Sequence, residues 1–178
     1  MEFLSMSRQE VQLRIAEVDK VTVGAAILQQ GDSGPTVLLL KRNPAEKYYP
    51  DVFELPGGKV DATDGTVHDA IIREVFEETQ LTVVEVISPL SRITYATEKL
   101  GKSPTDQATT VRRRAVQAVQ LSYVVKVAEN NFRVNKEEHS CGIWASCDHL
   151  DEIPITSDMK ALVLEALELA RAHTASNK

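Results

Sequence analysis

The sequence contains LPGGKVD at residues 55–61 and, shortly after it, REVFEET at residues 73–79. On a helix, which turns about 100° per residue, Glu74, Glu77 and Glu78 lie on one face. Carboxylates spaced three and four residues apart repel each other, and acidic side chains near the end of a helix oppose its dipole. Either solvent or a bound cation must therefore offset the cost of this acidic face.

The predicted helix spans residues 66–79, and its remaining side is apolar. We expect this side to pack the helix against a sheet. It is formed by Ile71, Ile72, Val75 and Phe76. Two explanations are open for the acidic face. It is either a solvated surface, which is common for glutamate pairs, or a binding site for Mg²⁺ or Mn²⁺, because these ions prefer carboxylate oxygens.

The paired glycines Gly57 and Gly58 favour the binding site. Glycine permits backbone conformations closed to other residues, including a close approach of the main chain to a ligand. A backbone carbonyl in such a loop can also supply an oxygen ligand. A Pro-Gly-Gly turn alone is common, but its combination with an Arg-Glu-x-x-Glu-Glu helix is much rarer. The combination therefore favours a metal site over a solvated helix.

Residues 58–81 resemble the Nudix box, Gly-x5-Glu-x7-Arg-Glu-U-x-Glu-Glu-x-Gly-U, in which U is a bulky aliphatic residue. The block at 73–79 matches the core of the box in register, and residues 55–60 resemble the strand and loop that enter it. The resemblance implies an α/β fold, a Nudix-type α/β/α sandwich with a mixed sheet. It also implies dependence on Mg²⁺ or Mn²⁺ and hydrolysis of a diphosphate linkage in a nucleoside diphosphate linked to another group, or in a related organic diphosphate.

The resemblance implies roles for individual residues. Glu74, Glu77 and Glu78 are expected to hold the metal, together with a backbone oxygen at Gly58. Arg73 is expected to position a glutamate by a charge-assisted hydrogen bond, and an ordinary ion pair with Glu77 is an overlapping explanation. Bound metal would neutralise charge on the leaving group and orient the attacking water.

The expected catalytic set is Arg73, Glu77, Glu78 and Glu138. A base must take the proton of the attacking water. Glu77 can do so if the metal ions leave it free, and Glu138, just before the predicted strand at 142–146, is the other candidate. A solvated loop acid is the alternative for Glu138. Its neighbour His139 is expected to be structural.

Substrate contacts are expected from Gly57, Lys59, Arg42 and Arg114. Arginine suits bidentate phosphate binding, although the run at residues 112–114 also fits a solvated surface. Four aromatic side chains can stack on a base or pack in the core and loops. They are Tyr48, Tyr49, Phe53 and Trp144.

Two positions depart from the box. The acid after Gly58 is Asp64, and eight residues rather than seven separate it from Arg73, so the loop is one residue longer. We expect Asp64 to cap the helix that begins near Thr66 rather than to bind metal. The glycine of the box is replaced by Gln80, which costs about 1 kcal/mol if a left-handed cap is needed there.

The rest of the chain predicts one domain over residues 1–178. A Ser7 capping box begins a short helix at 8–16, and a C-terminal helix at 157–172 has Ser157 as its N-cap. An exposed loop is expected at 98–110. Strands are expected at residues 21–28, 36–41, 52–55, 82–86, 91–97, 119–127 and 142–146.

Composition narrows the classes of partner. The chain has 178 residues and a formal net charge of −6, with no long basic block. We therefore expect a small-molecule substrate and neither a nucleic-acid polymer nor a membrane as partner. Cys141 and Cys147 are expected to be reduced packing residues. No signal peptide is apparent, so a cytoplasmic or nuclear location is expected. A homodimer is compatible with these features.

Two other functions are open within the same fold. A Nudix-type isomerase of isoprenoid diphosphates would need a cysteine and an acid opposed across the pocket, and Cys141 and Cys147 lack a recognisable context for that role. A binding module without turnover would be expected to lose at least one of Glu74, Glu77 and Glu78, all of which are present. Hydrolysis therefore remains the favoured function.

Overall fold

The computed structural model describes residues 1–31, 33–102 and 111–176, and the side chains of 1–31, 33–97 and 115–172. Within these ranges a mixed sheet of seven strands is flanked by three α-helices, as the α/β prediction expected. The helices are α1 (Arg8–Arg14), α2 (Val67–Thr79) and α3 (Ser157–Ser176), and a 3-10 helix spans Cys147–Asp151. The strands are β1 (Lys20–Gly31), β2 (Gly34–Arg42), β3 (Phe53–Glu54), β4 (Val83–Pro89), β5 (Ile93–Lys102), β6 (Val111–Val127) and β7 (His139–Ala145).

The centre of the sheet is a parallel pair, β1 and β6, which runs in register from Lys20 opposite Ala118 to Ile27 opposite Val125. The strand order is β3-β2-β1-β6-β4, with β5 also paired to β6 and β7 also paired to β2. All the other named pairs are antiparallel. Because β1 is covered on both faces, its sequence is almost continuously apolar.

Two apolar cores lie on opposite faces of this sheet. One joins β1 and β6 to α1 and α2, with Val11 and Ile71 as representative helix residues. The other packs α3 against the opposite face, with Leu162 and Leu167 fully buried. This is the layering expected of an α/β/α sandwich.

The N-cap residues of two helices can be compared with the predictions, and one of the two predictions is corrected. Ser7 forms the predicted capping box with Glu10. The cap of α3 is Thr156 rather than Ser157, because the Thr156 hydroxyl accepts a hydrogen bond from the amide of Met159 at 3.3 Å. The prediction was wrong by one residue, since serine and threonine are both good caps and stand side by side here.

The strand predictions were too short on the β5–β6 side. β6 begins at Val111 rather than at residue 119, and residues 98–102 continue β5 instead of forming a loop. Residues 103–110, also predicted to be loop, lie outside the described residues. Ser122 and Val124, predicted to face away from the core, are buried too. The alternation in sequence is weak because α3 covers the second face.

Two further expectations concern the cysteines and membranes. Cys141 and Cys147 are free thiols, and both pack against the core on the α3 side. Cys147 lies in the 3-10 helix and not in a strand. Among the described residues, no helix is long and apolar enough to cross a membrane.

Candidate active site

Helix α2 carries the acidic face, but it does not bury the predicted arc. Its capping box pairs Thr66 with Asp69. Ile71 and Val75 are buried as expected, whereas Ile72 and Phe76 are exposed by 36% and 51%. The helix is rotated so that Glu74 and Glu78 are buried instead. The prediction was wrong here because it ranked side chains by hydrophobicity, while this helix directs two carboxylates inward.

The two glycines before α2 lie against different groups. Gly57 has a positive φ of 154°, and a Cβ atom there would lie 2.2 Å from the carbonyl oxygen of Val23. Gly58 faces a side chain, because its Cβ atom would lie 2.6 Å from Oε1 of Glu74. The loop is held against β1, since the Val23 amide donates to the Gly58 carbonyl at 2.8 Å. The glycine loop therefore brings main chain directly against the acidic face.

Glu78 is the most deeply buried carboxylate of the site, with 2% of its side chain exposed. Its Oε2 accepts a hydrogen bond from the Gly57 amide at 2.8 Å. Burial raises the pKa of Glu78 well above its ordinary value, and this amide only partly opposes the rise. A buried carboxylate without a full positive charge beside it is costly, and such a group is typical of a functional site.

Glu74 is buried as well, and Arg73 links it to its neighbours. Burial raises the pKa of Glu74, while the Arg73 guanidinium acts in the opposite direction. Arg73 donates to Glu74 at 2.9 Å, to Glu77 at 2.9 Å and to the carbonyl of Lys59 at 3.0 Å. Both arrangements considered for Arg73, a bond to a buried glutamate and an i,i+4 pair with Glu77, are present together.

Asp64 does not cap α2, contrary to the prediction. Its two carboxylate oxygens accept hydrogen bonds from Nε and Nη2 of Arg73 at 2.9 and 2.8 Å. These bonds hold the pKa of Asp64 below its ordinary value. The extra loop residue removed Asp64 from the register of the box, but the loop folds back so that the acid reaches Arg73. The spacing alone does not reveal this contact.

The two candidate bases lie at the surface. The Glu77 side chain is 51% exposed. Glu138 is exposed too, and the side-chain amide nitrogen of Asn135 lies 3.5 Å from its Oε1. The Glu138 carbonyl accepts a hydrogen bond from the backbone of Asn43 at 2.9 Å. Exposure leaves both carboxylates accessible to water.

Two polar residues, the half-buried Glu54 and the buried His139, were not assigned to the site from the sequence. Glu54 ends β3, and its Oε1 accepts a hydrogen bond from Arg42 at 2.6 Å. His139 begins β7, with Nε2 at 3.3 Å from Glu54 and Nδ1 at 3.9 Å from Glu78. The only sequence signals were an acid just before LPGG and a histidine beside Glu138, and neither spacing shows that they meet.

The predicted substrate contacts fall into different settings. Arg42 donates through Nε to the carbonyl of Tyr48, through Nη1 to Glu54 and through Nη2 to Glu46, so it organises the following loop. Lys59 is half exposed, and its Nζ lies 3.4 Å from Oδ1 of Asp61. Arg114 belongs to β6, and its side chain lies outside the described residues.

A cleft of about 220 Å³ opens on the α3 side of the sheet. Three of the four predicted aromatic residues line it, whereas Trp144 packs edge-on against Phe132 at 6.0 Å between ring centres. The remaining lining mixes polar and apolar side chains and includes the half-buried Lys20. The cleft is lined by residues that include Lys20, Arg42, Tyr48, Tyr49, Phe53, Glu54, Tyr95, Gln120 and Asp158.

The donor set suits a hard cation, although the described side chains do not form a ready-made cage. No three histidine, cysteine, aspartate or glutamate side chains among them are grouped closely enough to hold an ion. The buried carboxylates Glu74 and Glu78 nevertheless lack full charge compensation, and Nδ1 of His139, which faces Glu78, has no hydrogen-bond partner in the described structure. Oxygen donors of this kind are those that Mg²⁺ and Mn²⁺ prefer.

Comparisons with known proteins agree with this fold. The chain is similar to the MutT NUDIX hydrolase from Burkholderia pseudomallei, with 24% identity and a TM-score of 0.58 over 82% of this chain and 96% of that one. It is similar to the NUDIX domain of Shewanella oneidensis NrtR, solved with ADP ribose, with 18% identity and a TM-score of 0.63 over 92% and 99%.

A C. elegans Ap4A hydrolase is similar at 18% identity and a TM-score of 0.57, over 88% of this chain and 98% of that one. These structures show the shared fold. The comparison with curated proteins gave no match. The family model of the NUDIX domain matches residues 19–166, which include the sheet, the glycine loop and α2. The chain therefore belongs to the NUDIX hydrolase family.

Proposed function

We propose that the protein hydrolyses a diphosphate linkage in a nucleoside diphosphate joined to another group, with Mg²⁺ or Mn²⁺ bound at α2. The observation that carries this proposal is the burial of Glu74 and Glu78 against the Gly57–Gly58 loop. Burying carboxylates costs stability, and a divalent cation would offset that cost. An acidic face that was only solvated would not need to bury these two carboxylates.

In this proposal Glu74, Glu77 and Glu78 hold the metal, and Arg73 keeps Glu74 and Glu77 in place. Bound metal would polarise the diphosphate and lower the pKa of an attacking water. The Gly58 carbonyl already accepts a hydrogen bond from Val23. It can bind a cation only through its second lone pair.

The proton of the attacking water is taken by Glu77 or Glu138. Both are exposed, whereas Glu78 is buried and anchored to Gly57. Lys59 and Gly57 are proposed to contact the diphosphate from the loop. Arg42 would have to exchange one of its present partners to do so, and Arg114 remains a proposed contact.

The cleft supports a nucleotide rather than an isoprenoid diphosphate. Charged and polar groups such as Lys20, Gln120 and Asp158 line it beside Tyr48 and Tyr95. Such a lining suits a flat, polar base, which can stack and form hydrogen bonds. Its described lining contains no cysteine, so an isomerase that uses a cysteine across the pocket is disfavoured. The structures solved with ADP ribose and as an Ap4A hydrolase have the same fold.

Other properties remain proposals. We expect one domain over residues 1–178, a cytoplasmic or nuclear location, and a small-molecule diphosphate as the partner rather than a nucleic-acid polymer or a membrane. A homodimer is compatible with this proposal.

The proposal is tested by a chromatographic screen for the release of nucleoside monophosphates and other phosphate products, pyrophosphate included. The substrates are nucleotide sugars, dinucleoside polyphosphates, nucleoside triphosphates and isoprenoid diphosphates, each with Mg²⁺ or Mn²⁺. We expect release from a nucleotide substrate, and a loss of about 100-fold or more in kcat for Glu77→Gln, because that carboxylate holds metal or takes the proton. Glu85→Gln, an exposed glutamate on β4, is the matched control and should retain full activity.

Absence of release from every substrate would favour a binding module over an enzyme. Release that Glu77→Gln leaves unchanged would refute the role of Glu77. Release from an isoprenoid diphosphate alone would refute the nucleotide assignment while leaving the hydrolase intact.

A further inference from the structure

His139 is buried beside the acidic face, yet one of its ring nitrogens has no partner. Its side chain is 2% exposed. Nε2 lies 3.3 Å from Oε1 of Glu54. Nδ1 is a buried side-chain atom without a hydrogen bond among the described residues. Buried polar atoms are almost always paired, so an unpaired nitrogen at this place calls for an explanation in terms of the site.

An irregularity in β7 aims His139 at the site. Regular alternation would place His139 on the same face as Cys141, which packs in the core beside α3. The register shifts between Lys41 and Arg42, so that Arg42 pairs with His139 and Ser140 is passed over. The shift turns the His139 ring to the α2 face of the sheet. β-Bulges commonly redirect a side chain near an active site.

The ring then faces the second carboxylate oxygen of Glu78. Oε2 of Glu78 is held by the Gly57 amide at 2.8 Å, whereas Oε1 lies 3.9 Å from Nδ1 of His139. The two atoms face each other at close range, and a hydrogen bond between them requires an approach of about 1 Å. The backbone of Glu78 is tied to the same segment, because its carbonyl accepts a hydrogen bond from the Asn135 amide at 2.9 Å.

We propose that His139 is a positioning residue for Glu78, with Nδ1 as the polar partner of Oε1 on one side of the carboxylate and the Gly57 amide as the partner of Oε2 on the other. The carboxylate then presents one fixed orientation to a divalent cation. This inference rests on the metal role proposed for Glu78. It assigns His139 a function other than the structural one expected from the sequence.

The test measures Mn²⁺ binding without substrate, by the signal of free Mn²⁺ in electron paramagnetic resonance. The amide nitrogen of asparagine occupies about the place of Nδ1, and that of glutamine about the place of Nε2. We expect His139→Gln and His139→Phe to raise the Kd for Mn²⁺ by about 10- to 100-fold, and His139→Asn by less than about threefold, as for other outer partners of metal ligands. His68→Asn, on α2 away from the carboxylates, is the control and should bind as the unaltered protein does.

Equal weakening by His139→Asn and His139→Gln would indicate packing alone and would overturn the inference. Unchanged binding by a folded His139→Phe variant, checked by thermal unfolding, would also overturn it. If the variants do not fold, the inference is tested on the unaltered protein by nuclear magnetic resonance of the His139 ring nitrogens. We expect Mg²⁺ to shift Nδ1 of His139 more than Nε2, and the absence of such a shift refutes the role.

These outcomes separate the inference from the proposed function. If Mn²⁺ binding depends on His139 but no diphosphate is hydrolysed, His139 retains its role and the hydrolase proposal fails. If a diphosphate is hydrolysed but Mn²⁺ binding is indifferent to His139, only the positioning role fails.

Discussion

At the scale of single residues, Gln80 ends α2 in the left-handed conformation, with φ 61° and ψ 13°. Its amide donates to the carbonyl of Phe76, as a C-cap requires. Side chains with a Cβ atom are strained in this region, and glycine is not. The helix thus carries a local cost next to Glu77 and Glu78 that a single substitution removes.

We predict that Gln80→Gly raises the free energy of unfolding by about 1 kcal/mol. The gain comes from relief of left-handed strain. Catalysis should be unchanged, because Gln80 is exposed and its side-chain amide donates to the carbonyl of Phe76. Urea unfolding at equilibrium measures the change. Gln80→Ala keeps a Cβ atom and should bring no such gain. A gain from alanine equal to that from glycine would contradict strain as the cause.

Several residue-scale features could be predicted from the sequence, because they depend on neighbours in the chain. The capping box at Ser7 and the cap at Gln80 are of this kind. Glu54 and His139 could not be predicted as members of the site. Their meeting depends on the pairing of β2 with two other strands and on a register shift in β7, neither of which leaves a mark in local spacing.

At the scale of the element, α2 buries two carboxylates and exposes two large apolar side chains. Periodicity correctly identified the helix and its ends, but it assigned Ile72 and Phe76 to the core. The reason is that a hydrophobic pattern records what side chains prefer on average. In this helix, Glu74 is drawn inward against Gly58 and Glu78 against Gly57.

Because of the rotation of α2, we expect truncation of the smaller Val75 to destabilise the fold more than truncation of the larger Phe76. We predict that Val75→Ala lowers the free energy of unfolding by about 2 kcal/mol, because Val75 is fully buried. Phe76→Ala removes a larger side chain but should cost less than about 1 kcal/mol, since half of that side chain is exposed. Urea unfolding of both variants compares them on the same helix. A larger loss for Phe76→Ala would mean that the predicted arc is the buried one.

At the scale of the whole molecule, the carboxylates of the site make stability depend on pH. Burial raises the pKa of Glu74 and Glu78 in the folded state. The folded protein therefore holds these protons more tightly than the unfolded chain, and its stability falls as pH rises from the ordinary carboxyl range through the raised pKa values. Asp64 acts in the opposite sense, because its lowered pKa stabilises the fold above the ordinary value and this contribution is lost as pH falls.

We predict that Glu78→Gln raises the Tm of the metal-free protein at pH 8 and reduces the decline in Tm between pH 5 and pH 8. Glutamine keeps an oxygen for the Gly57 amide but carries no charge. Mg²⁺ should raise the Tm of the unaltered protein, by an amount that corresponds to about 2.7 kcal/mol at 100 times its Kd, and should affect the variant far less. Calorimetry with and without Mg²⁺ measures both effects. A lower Tm for the metal-free variant at pH 8 would contradict the burial of an uncompensated charge.

The parallel pairing of β1 with β6 also determines the order in which the molecule can assemble. The hydroxyl of Thr22 on β1 bonds the carbonyl of Val119 on β6, which is 97 residues further along the chain. During synthesis the acidic helix leaves the ribosome before the strand that completes its sheet. Contacts so distant in sequence close slowly. We therefore expect the growing chain to leave its acidic helix without its final packing, and its carboxylates in water, until β6 has been made.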